Sequence, residues 1–196
     1  MLKKFLYFFF IIVTTTSSIA ENKFEIIAIV NDISITKLDL SKELTIIKIL
    51  NNKQSISQDE VNIGLNNLIE EKIKKIEIEK EKLTIDKKTI DNLYYTLIQN
   101  LNLNNSNIDK ITSNLIKEKI KIDKLWNELV AKKYSWKINI NMDEINKKIL
   151  QNKENIKDIE ETKNSLVIRE KNKKLSVYSK FYLNQLKKKT LIKYFI

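Results

Sequence analysis

The stretch IIAIVNDISI, residues 26–35, decides how this chain begins to fold. Two β-branched runs flank Asn31-Asp32, and both of these residue types tolerate a positive φ, so the stretch predicts a β-hairpin with a tight turn. A further strand candidate, TLIKYFI, occupies residues 190–196, at the other end of the chain. An isolated hairpin is only marginally stable in water, and a third strand would help it. We therefore expect a small sheet that joins the two ends of the chain.

The residues between these strands predict helices, because apolar side chains recur at helical spacing opposite faces rich in Glu and Lys. Ser57 with Glu60 predicts a capping box. Gly64 lies inside the second helix, where glycine costs about 1 kcal/mol relative to alanine, and it indicates a close helix–helix contact. The stretch KINI, 137–140, is expected to be extended. Helices are expected over about 37–50, 58–82, 86–101, 116–134, 141–150 and 158–188, with a short helix from 108.

The fold class expected from this pattern is mainly α, a multi-helix core with a small β-sheet joining N- and C-terminal strands. Of the 196 residues, 1–20 are expected to be a leader and 21–196 a single core. Within that core we expect an N-terminal part, 21–150, a connector, 151–157, and a C-terminal helix and strand, 158–196.

The first residues, MLKKFLYFFFIIVTTTSSIA (1–20), predict a secretory signal peptide. Two lysines precede an apolar run over 5–13, and small residues at Ser18 and Ala20 favour cleavage before Glu21. The apolar run is shorter than the roughly 20 residues that span a bilayer. The alternative is an uncleaved anchor. We expect an exported protein.

Composition excludes most familiar enzyme classes. The chain has no Cys, no His, no Pro and a single Gly, so zinc fingers, thiol chemistry, histidine acid–base catalysis and glycine-rich phosphate loops are ruled out. Carboxylate pairs occur at helix starts or on charged faces, where solvation or the helix dipole explains them. We expect no enzyme, no cofactor and no metal site. The pairs are Asp59-Glu60, Glu70-Glu71 and Asp143-Glu144.

The net charge of +11 allows acidic partners, but its pattern argues against nucleic acid. Arg169 is the only arginine, and planar bidentate recognition of bases or phosphates favours arginine over lysine. The lysines are expected to alternate with glutamates along the whole length and to form solvated helix faces. No nucleic-acid partner is expected, and weak contact with a membrane surface is left open.

Aromatic residues are the candidates for binding a polypeptide. Most should be core, but neighbours such as Tyr94 and Tyr95 cannot both face one side of a helix. An aromatic side chain left at a groove offers a large contact area with a polar tip to an extended apolar peptide. The candidate peptide-binding residues are Tyr94, Tyr95, Leu97, Trp126, Leu129 and Trp136.

The order of these elements resembles a family. Residues 26–50, IIAIVNDISITKLDLSKELTIIKIL, resemble the start of the SurA-type periplasmic chaperones, where a strand with V-N precedes a short I-T strand and a helix with D-L. The next segments of the family are similar to LNNLIEEKIKKIEIEKEKLTID (65–86) and IDNLYYTLIQNLNL (90–103). Residues 120–140, IKIDKLWNELVAKKYSWKINI, resemble the helix and exit strand that precede the isomerase module in the family. Residues 159–196 resemble the family's closing helix and strand at the C-terminal end.

The resemblance implies a chaperone core without the parvulin-type prolyl isomerase modules that the family usually carries. Only residues 141–158 stand where those modules would lie, and the histidines of a parvulin site are absent. It implies a periplasmic chaperone that binds unfolded outer-membrane or secreted polypeptides in a crevice, without isomerase activity. The alternatives are a divergent peptidyl-prolyl isomerase and an envelope adaptor with one fixed partner.

Overall fold

The computed structural model describes residues 23–103, 108–151 and 159–195. The predicted leader and connector residues 152–157 lie outside the described residues. The elements, in chain order, are β1 (Ile26–Val30), β2 (Ile33–Thr36), α1 (Lys37–Leu50), α2 (Gln58–Lys80), α3 (Lys87–Asn100), α4 (Lys110–Tyr134), a 3-10 turn (Ser135–Lys137), α5 (Met142–Gln151), α6 (Ile159–Lys189) and β3 (Ile192–Tyr194). The mainly helical fold class is confirmed.

Both ends of the described chain meet in one sheet, as the sequence predicts. The strands are antiparallel in the order β2–β1–β3. Asn31 takes a φ of 52° in the β1–β2 turn. Its backbone N–H donates to the Leu191 carbonyl at 2.8 Å, and the Phe195 N–H donates to the Ile27 carbonyl at 3.0 Å. These bonds continue the pairing of β1 with β3 beyond the strand ends.

The predicted helix caps are present. The Thr36 hydroxyl accepts a bond from the first turn of α1, and Ser57 and Glu60 form the expected capping box of α2. The Ser57 N–H donates to Glu60 Oε2 at 2.9 Å, and the Glu60 N–H donates back to Ser57 Oγ at 3.3 Å. Asp86 caps α3. Side-chain acceptors therefore satisfy backbone N–H groups that have no partner inside these helices.

Two helix boundaries differ from the prediction. α2 ends at Lys80 rather than near Lys82, because Lys82 takes a φ of 52°, which a right-handed helix does not allow. One helix, α4, replaces the expected short helix from 108 and longer helix from 116. The Asp109 carboxylate accepts the backbone N–H groups of Ile111 and Thr112, so the helix begins there.

The extended stretch expected at 137–140 forms no strand in the described sheet. The chain instead leaves α4 through the 3-10 turn Ser135–Lys137. The Trp136 indole N–H donates to the Lys133 carbonyl at 3.0 Å, a local bond that keeps the backbone turned. The segment that follows leads to α5, whose first turn is capped by Asn141 as expected.

Two clusters of buried side chains hold the helices together. The main core lies between the inner face of the sheet, α2, α4 and the C-terminal half of α6. The second core lies between α1, α3 and α4. The main core contains Ala28, Val30, Ile35, Leu68, Ile69, Ile73, Ile78, Ile122, Leu125, Trp126, Leu129, Val130, Tyr134, Tyr182 and Leu183. The second core contains Ile46, Tyr94, Ile98 and Ile116.

Gly64 marks the close approach of α1 to α2 that the sequence predicts. A Cβ at this position would lie 3.0 Å from Leu44 Cδ2 and 3.3 Å from Leu40 Cδ1. The absent side chain lets the two helices pack closely beside the sheet. Among the described helices, none is both long enough and apolar enough to cross a bilayer.

Candidate functional site

Three of the six predicted peptide-binding residues lie in the cores. Trp126 is only 2% exposed, Leu129 is equally buried beside it, and Tyr94 is buried in the second core. Their expected position at a groove is therefore corrected: a peptide would reach them only after the cores opened. The physical reason is that Tyr182 on α6, more than fifty residues later in the chain, covers Trp126.

The other three predicted residues do not form one site. Leu97 is partly buried against the second core, and Tyr95 is exposed beside Lys117, near the start of α4. Trp136, which is 77% exposed, follows the far end of α4. At 1.5 Å per helical residue, Lys117 and Trp136 are roughly 28 Å apart. Among the described residues, Tyr95 and Trp136 therefore lie at opposite ends of α4 and not beside one another.

An aromatic series joins α4 to α6. The Trp126 and Tyr182 rings stack with centroids 5.4 Å apart, and Tyr134 meets Tyr182 edge-on at 5.8 Å. Tyr134 in turn stacks on Tyr178 at 5.1 Å. Aromatic pairs in these arrangements contribute about 0.5–1.5 kcal/mol beyond the area they bury. The series runs from the interior toward the surface at the C-terminal end of α4.

The polar atoms of this series are satisfied. The Trp126 indole N–H donates to Ser179 Oγ at 2.8 Å, and the Tyr182 hydroxyl donates to a carboxylate oxygen of Glu77. Burial, and then the bond to Glu77, raises the pKa of Tyr182. Burial alone would raise the pKa of Glu77, but the bonds from Tyr182 and Lys80 outweigh it and lower that pKa. A neutral phenol therefore faces an ionised carboxylate.

The outer end of the series is the segment that carries Trp136. Lys137 Nζ lies 4.8 Å from the centroid of the Trp136 ring, a cation–π contact. Lys174 on α6 donates to the Asn139 carbonyl. Together with the stack of Tyr134 on Tyr178, this bond places the segment across the middle of α6. Trp136 is therefore an exposed aromatic side chain on a well-supported backbone.

Exposed apolar side chains continue from this crossing along α6. Val177 and Phe181 are one helical turn apart, and both are exposed, whereas Tyr182 and Leu183 are buried on the opposite side. Successive helical residues are rotated by roughly 100°, which brings three exposed lysines within roughly 60° of Val177. We call these residues of α6, together with Trp136 on the segment that crosses the helix, the α6 surface; it consists of Trp136, Lys173, Val177, Lys180, Phe181 and Lys188.

The charge of this part of the chain is one-sided. Glu170 is the last acidic residue in the sequence, and the residues after it include eight lysines. The expected alternation of lysines with glutamates along the whole length is therefore wrong beyond Glu170. The net charge of each segment, counted from the sequence, would have identified this basic stretch. The helical spacing of Val177 and Phe181 would have identified the apolar part of the α6 surface.

A second candidate is a buried ion cluster between α1, α2 and α4. Lys119 Nζ lies 2.5 Å from Glu43 Oε2 and 2.8 Å from Glu71 Oε2. Glu43 is 4% exposed, and its Oε1 accepts a bond from Asn67 Nδ2 at 3.2 Å. The contact with Oε2 is an ion pair without hydrogen-bond geometry. Grooves of about 280 and 160 Å³ open on this cluster.

The cluster is chemically self-contained. Burial alone would lower the pKa of Lys119, but the attraction of Glu43 and Glu71 outweighs it and raises that pKa. Burial would likewise raise the pKa of Glu71, but Lys119 and Lys75 outweigh it and lower that pKa. Ammonium and carboxylate groups that neutralise one another in this way fix three helices together. None of the predicted peptide-binding residues lines either groove.

At least one member of each carboxylate pair has a structural partner, and in Asp143-Glu144 the Glu144 carboxylate accepts a bond from Asn141 Nδ2. Glu60 caps α2, Glu71 contacts Lys119, and Glu70 pairs with Lys187 at 3.1 Å. Within the described ranges, no three acidic side chains gather as metal ligands would. The expectations of no cofactor, no metal and no catalysis stay predictions.

Comparison with known proteins leaves the family open. No protein-family model matches the chain, and no curated protein matches it either. The SurA-type resemblance therefore stays a prediction, and the function rests on the geometry described above.

Proposed function

We propose that this protein is an exported, periplasmic chaperone that binds unfolded outer-membrane or secreted polypeptides and has no isomerase activity. The observation that carries the proposal is the α6 surface: Val177 and Phe181 stand exposed among lysines in a segment without acidic residues, and Trp136 is exposed on the segment that crosses α6. The predicted leader and the resemblance to SurA-type chaperones support the compartment.

Such a surface suits weak and reversible binding of unstructured chains. An exposed indole and phenyl ring offer large apolar contact areas to side chains that a folded client would bury. Lysines add long flexible stems and point charges, so they favour clients with acidic residues without demanding one fixed geometry. Holding a chain in this way requires no nucleophile, acid or base.

The fold supports the same proposal. The sheet joins β1 and β2 to β3, so the first and last described elements belong to one body. The resemblance implies this gathering of N- and C-terminal segments for a chaperone core. The aromatic series then holds α6 on that body and leaves one side of the helix to solvent.

The test is whether the protein slows the aggregation of an unfolded porin. We expect suppression by the wild type and at least a fivefold weaker effect for the double variant Trp136→Ser/Phe181→Ser, since each ring contributes on the order of 1 kcal/mol of contact. Tyr95→Ser is the matched control, because it removes an exposed aromatic ring from α3 and should leave suppression unchanged.

Three outcomes would contradict the proposal. Wild-type protein that fails to slow aggregation removes the function, and an equal loss in Tyr95→Ser removes the site. Faster cis–trans exchange of a proline peptide would show isomerase activity. Circular dichroism of each variant should retain the wild-type helix signal, because the substituted side chains are exposed.

A further inference from the structure

The outer face of β3 is apolar and basic. Ile192 points inward and packs against the main core. Side chains alternate along a strand, so Leu191, Lys193 and Phe195 share the opposite face. The Leu191 carbonyl accepts a bond from Asn31, directly after β1, and the Phe195 N–H donates to Ile27, so the extended pairing continues past both ends of β3. Leu191 is 58% exposed and Phe195 is 49% exposed, so this face is open to solvent.

Two further lysines come shortly before this face in the chain. Lys188 and Lys189 are exposed in the last turn of α6, directly before β3. Among the described residues, no carboxylate forms an ion pair with either of them or with Lys193, whereas Lys187 is paired with Glu70. We call this region the C-terminal patch; it consists of Lys188, Lys189, Leu191, Lys193 and Phe195.

Acidic residues offset this charge only slightly. The sheet contributes Asp32 in the hairpin turn. Glu25, just before β1, is already paired with Lys37 at 2.7 Å. The patch therefore carries unpaired positive charge around two exposed apolar side chains.

We propose that the C-terminal patch docks on the surface of an anionic phospholipid bilayer. Lysine ammonium groups are attracted to the negative surface potential of anionic lipids. Leucine and phenylalanine between them can enter the boundary between headgroups and acyl chains. The proposal goes beyond client binding, because it uses the outer face of the sheet and shares only Lys188 with the α6 surface.

The side-chain chemistry favours a membrane over an acidic macromolecule. All three cations are lysines, which act as point charges on flexible stems and do not provide the bidentate geometry that selects individual carboxylates or phosphates. Basic and apolar side chains that alternate on an open face suit a bilayer surface, where a diffuse layer of headgroup charge lies above the hydrocarbon. The proposed export of the protein would place it beside such a layer.

The experiment measures binding of the full chain to lipid vesicles by flotation. One set of vesicles contains phosphatidylcholine with phosphatidylglycerol, and the other contains phosphatidylcholine alone. We expect binding to the anionic vesicles that weakens as salt is added. The triple variant Lys188→Gln/Lys189→Gln/Lys193→Gln should bind them at least about tenfold more weakly, since each lysine near the surface contributes roughly fivefold.

The matched control is Lys87→Gln/Lys88→Gln/Lys110→Gln, which removes the same charge from exposed positions on α3 and α4. It should bind like the wild type, and Phe195→Ser should bind more weakly than the wild type. All variants retain residues 1–20. Equal binding by the two triple variants, or equal binding to both kinds of vesicle, would overturn the proposal. Binding to polyglutamate or single-stranded RNA but not to vesicles would also overturn it.

Discussion

Helix α4 borders the second core along its N-terminal half and the main core along its C-terminal half, and the two halves bury polar groups in different ways. In the N-terminal half, the charged Lys119 lies between two carboxylates, one of them almost fully buried. In the C-terminal half, the neutral indole N–H of Trp126 donates one bond to Ser179 inside an aromatic stack.

This difference indicates which interactions with neighbouring elements stabilise each half of α4. A buried neutral donor costs little once it has one acceptor, so the stability of the Trp126 region comes mainly from packing. A buried ion pair costs several kcal/mol of desolvation per ion, which the partners only offset together. The stability of the Trp126 region should therefore fall when side-chain volume is lost. The stability of the Lys119 region should fall when one of its charges is removed.

The largest effect is expected from Trp126→Ala. Removing the indole leaves a cavity against Tyr182 and should lower the free energy of unfolding by about 3–5 kcal/mol. Denaturant titration followed by circular dichroism measures this change. Trp136→Ala is the control, because an exposed ring should cost less than about 0.5 kcal/mol. Similar losses in the two variants would contradict the importance of packing in this half of α4.

A smaller effect is expected from Lys119→Met. The methionine keeps the aliphatic stem but leaves Glu43 without a cation and Glu71 with only Lys75, so we expect a loss of about 2–4 kcal/mol, slightly below that of a fully buried pair. Lys124→Met, which removes an exposed lysine paired with Glu128 on the same helix, should cost less than about 1 kcal/mol. A Lys119→Met loss no larger than this control would show that the cluster does not stabilise the fold.

The smallest effect on stability is expected at the surface, where a carboxylate is exposed to solvent. The hydrogen bonds from Lys53 and then from the Ser57 backbone lower the pKa of Glu60 from 4.5 to about 2. Since the folded-state pKa lies below the unfolded one, the stabilisation is present above about pH 4.5 and is lost as pH falls toward 2.

Denaturant titrations between pH 5 and 2 measure this dependence. Wild type should lose more stability over this range than Glu60→Gln, which has no carboxylate to protonate at that position. Asp59→Asn, which removes a carboxylate from the same helical turn but keeps the bonds of Glu60 to Lys53 and Ser57, is the control. A Glu60→Gln profile parallel to wild type would show that the cap does not contribute to acid sensitivity.

Much of the local structure could be predicted from the sequence. Thr36, Ser57 and Asp86 begin their helices because a short polar side chain followed by an apolar periodic run carries the information locally. The hairpin turn at Asn31 is equally local. The sequence predicts the start of the long helix near residue 116, but α4 begins at Lys110. Asp109 follows a polar stretch whose composition is typical of a loop, although its carboxylate caps the helix.

The candidate site was harder to predict, because burial depends on residues distant in sequence. Trp126 and Trp136 are ten positions apart and look alike in the sequence, yet only Trp126 is covered, and its cover is Tyr182 from α6. Glu43 looks like any exposed helix carboxylate until Lys119 approaches from another helix. A sequence pattern identifies which residues are apolar, but packing of distant elements decides which of them remain at the surface.

The order of the sheet has a consequence for the timing of synthesis. Asn31 and Leu191, which meet at the junction of β1 and β3, are 160 residues apart. At roughly 5–20 residues per second, a ribosome needs about 8–32 s to travel that distance. Until then the edge of β1 has no partner, and long-range strand pairing is slow to form. The sheet of the newly synthesised polypeptide thus stays incomplete until β3 has been made.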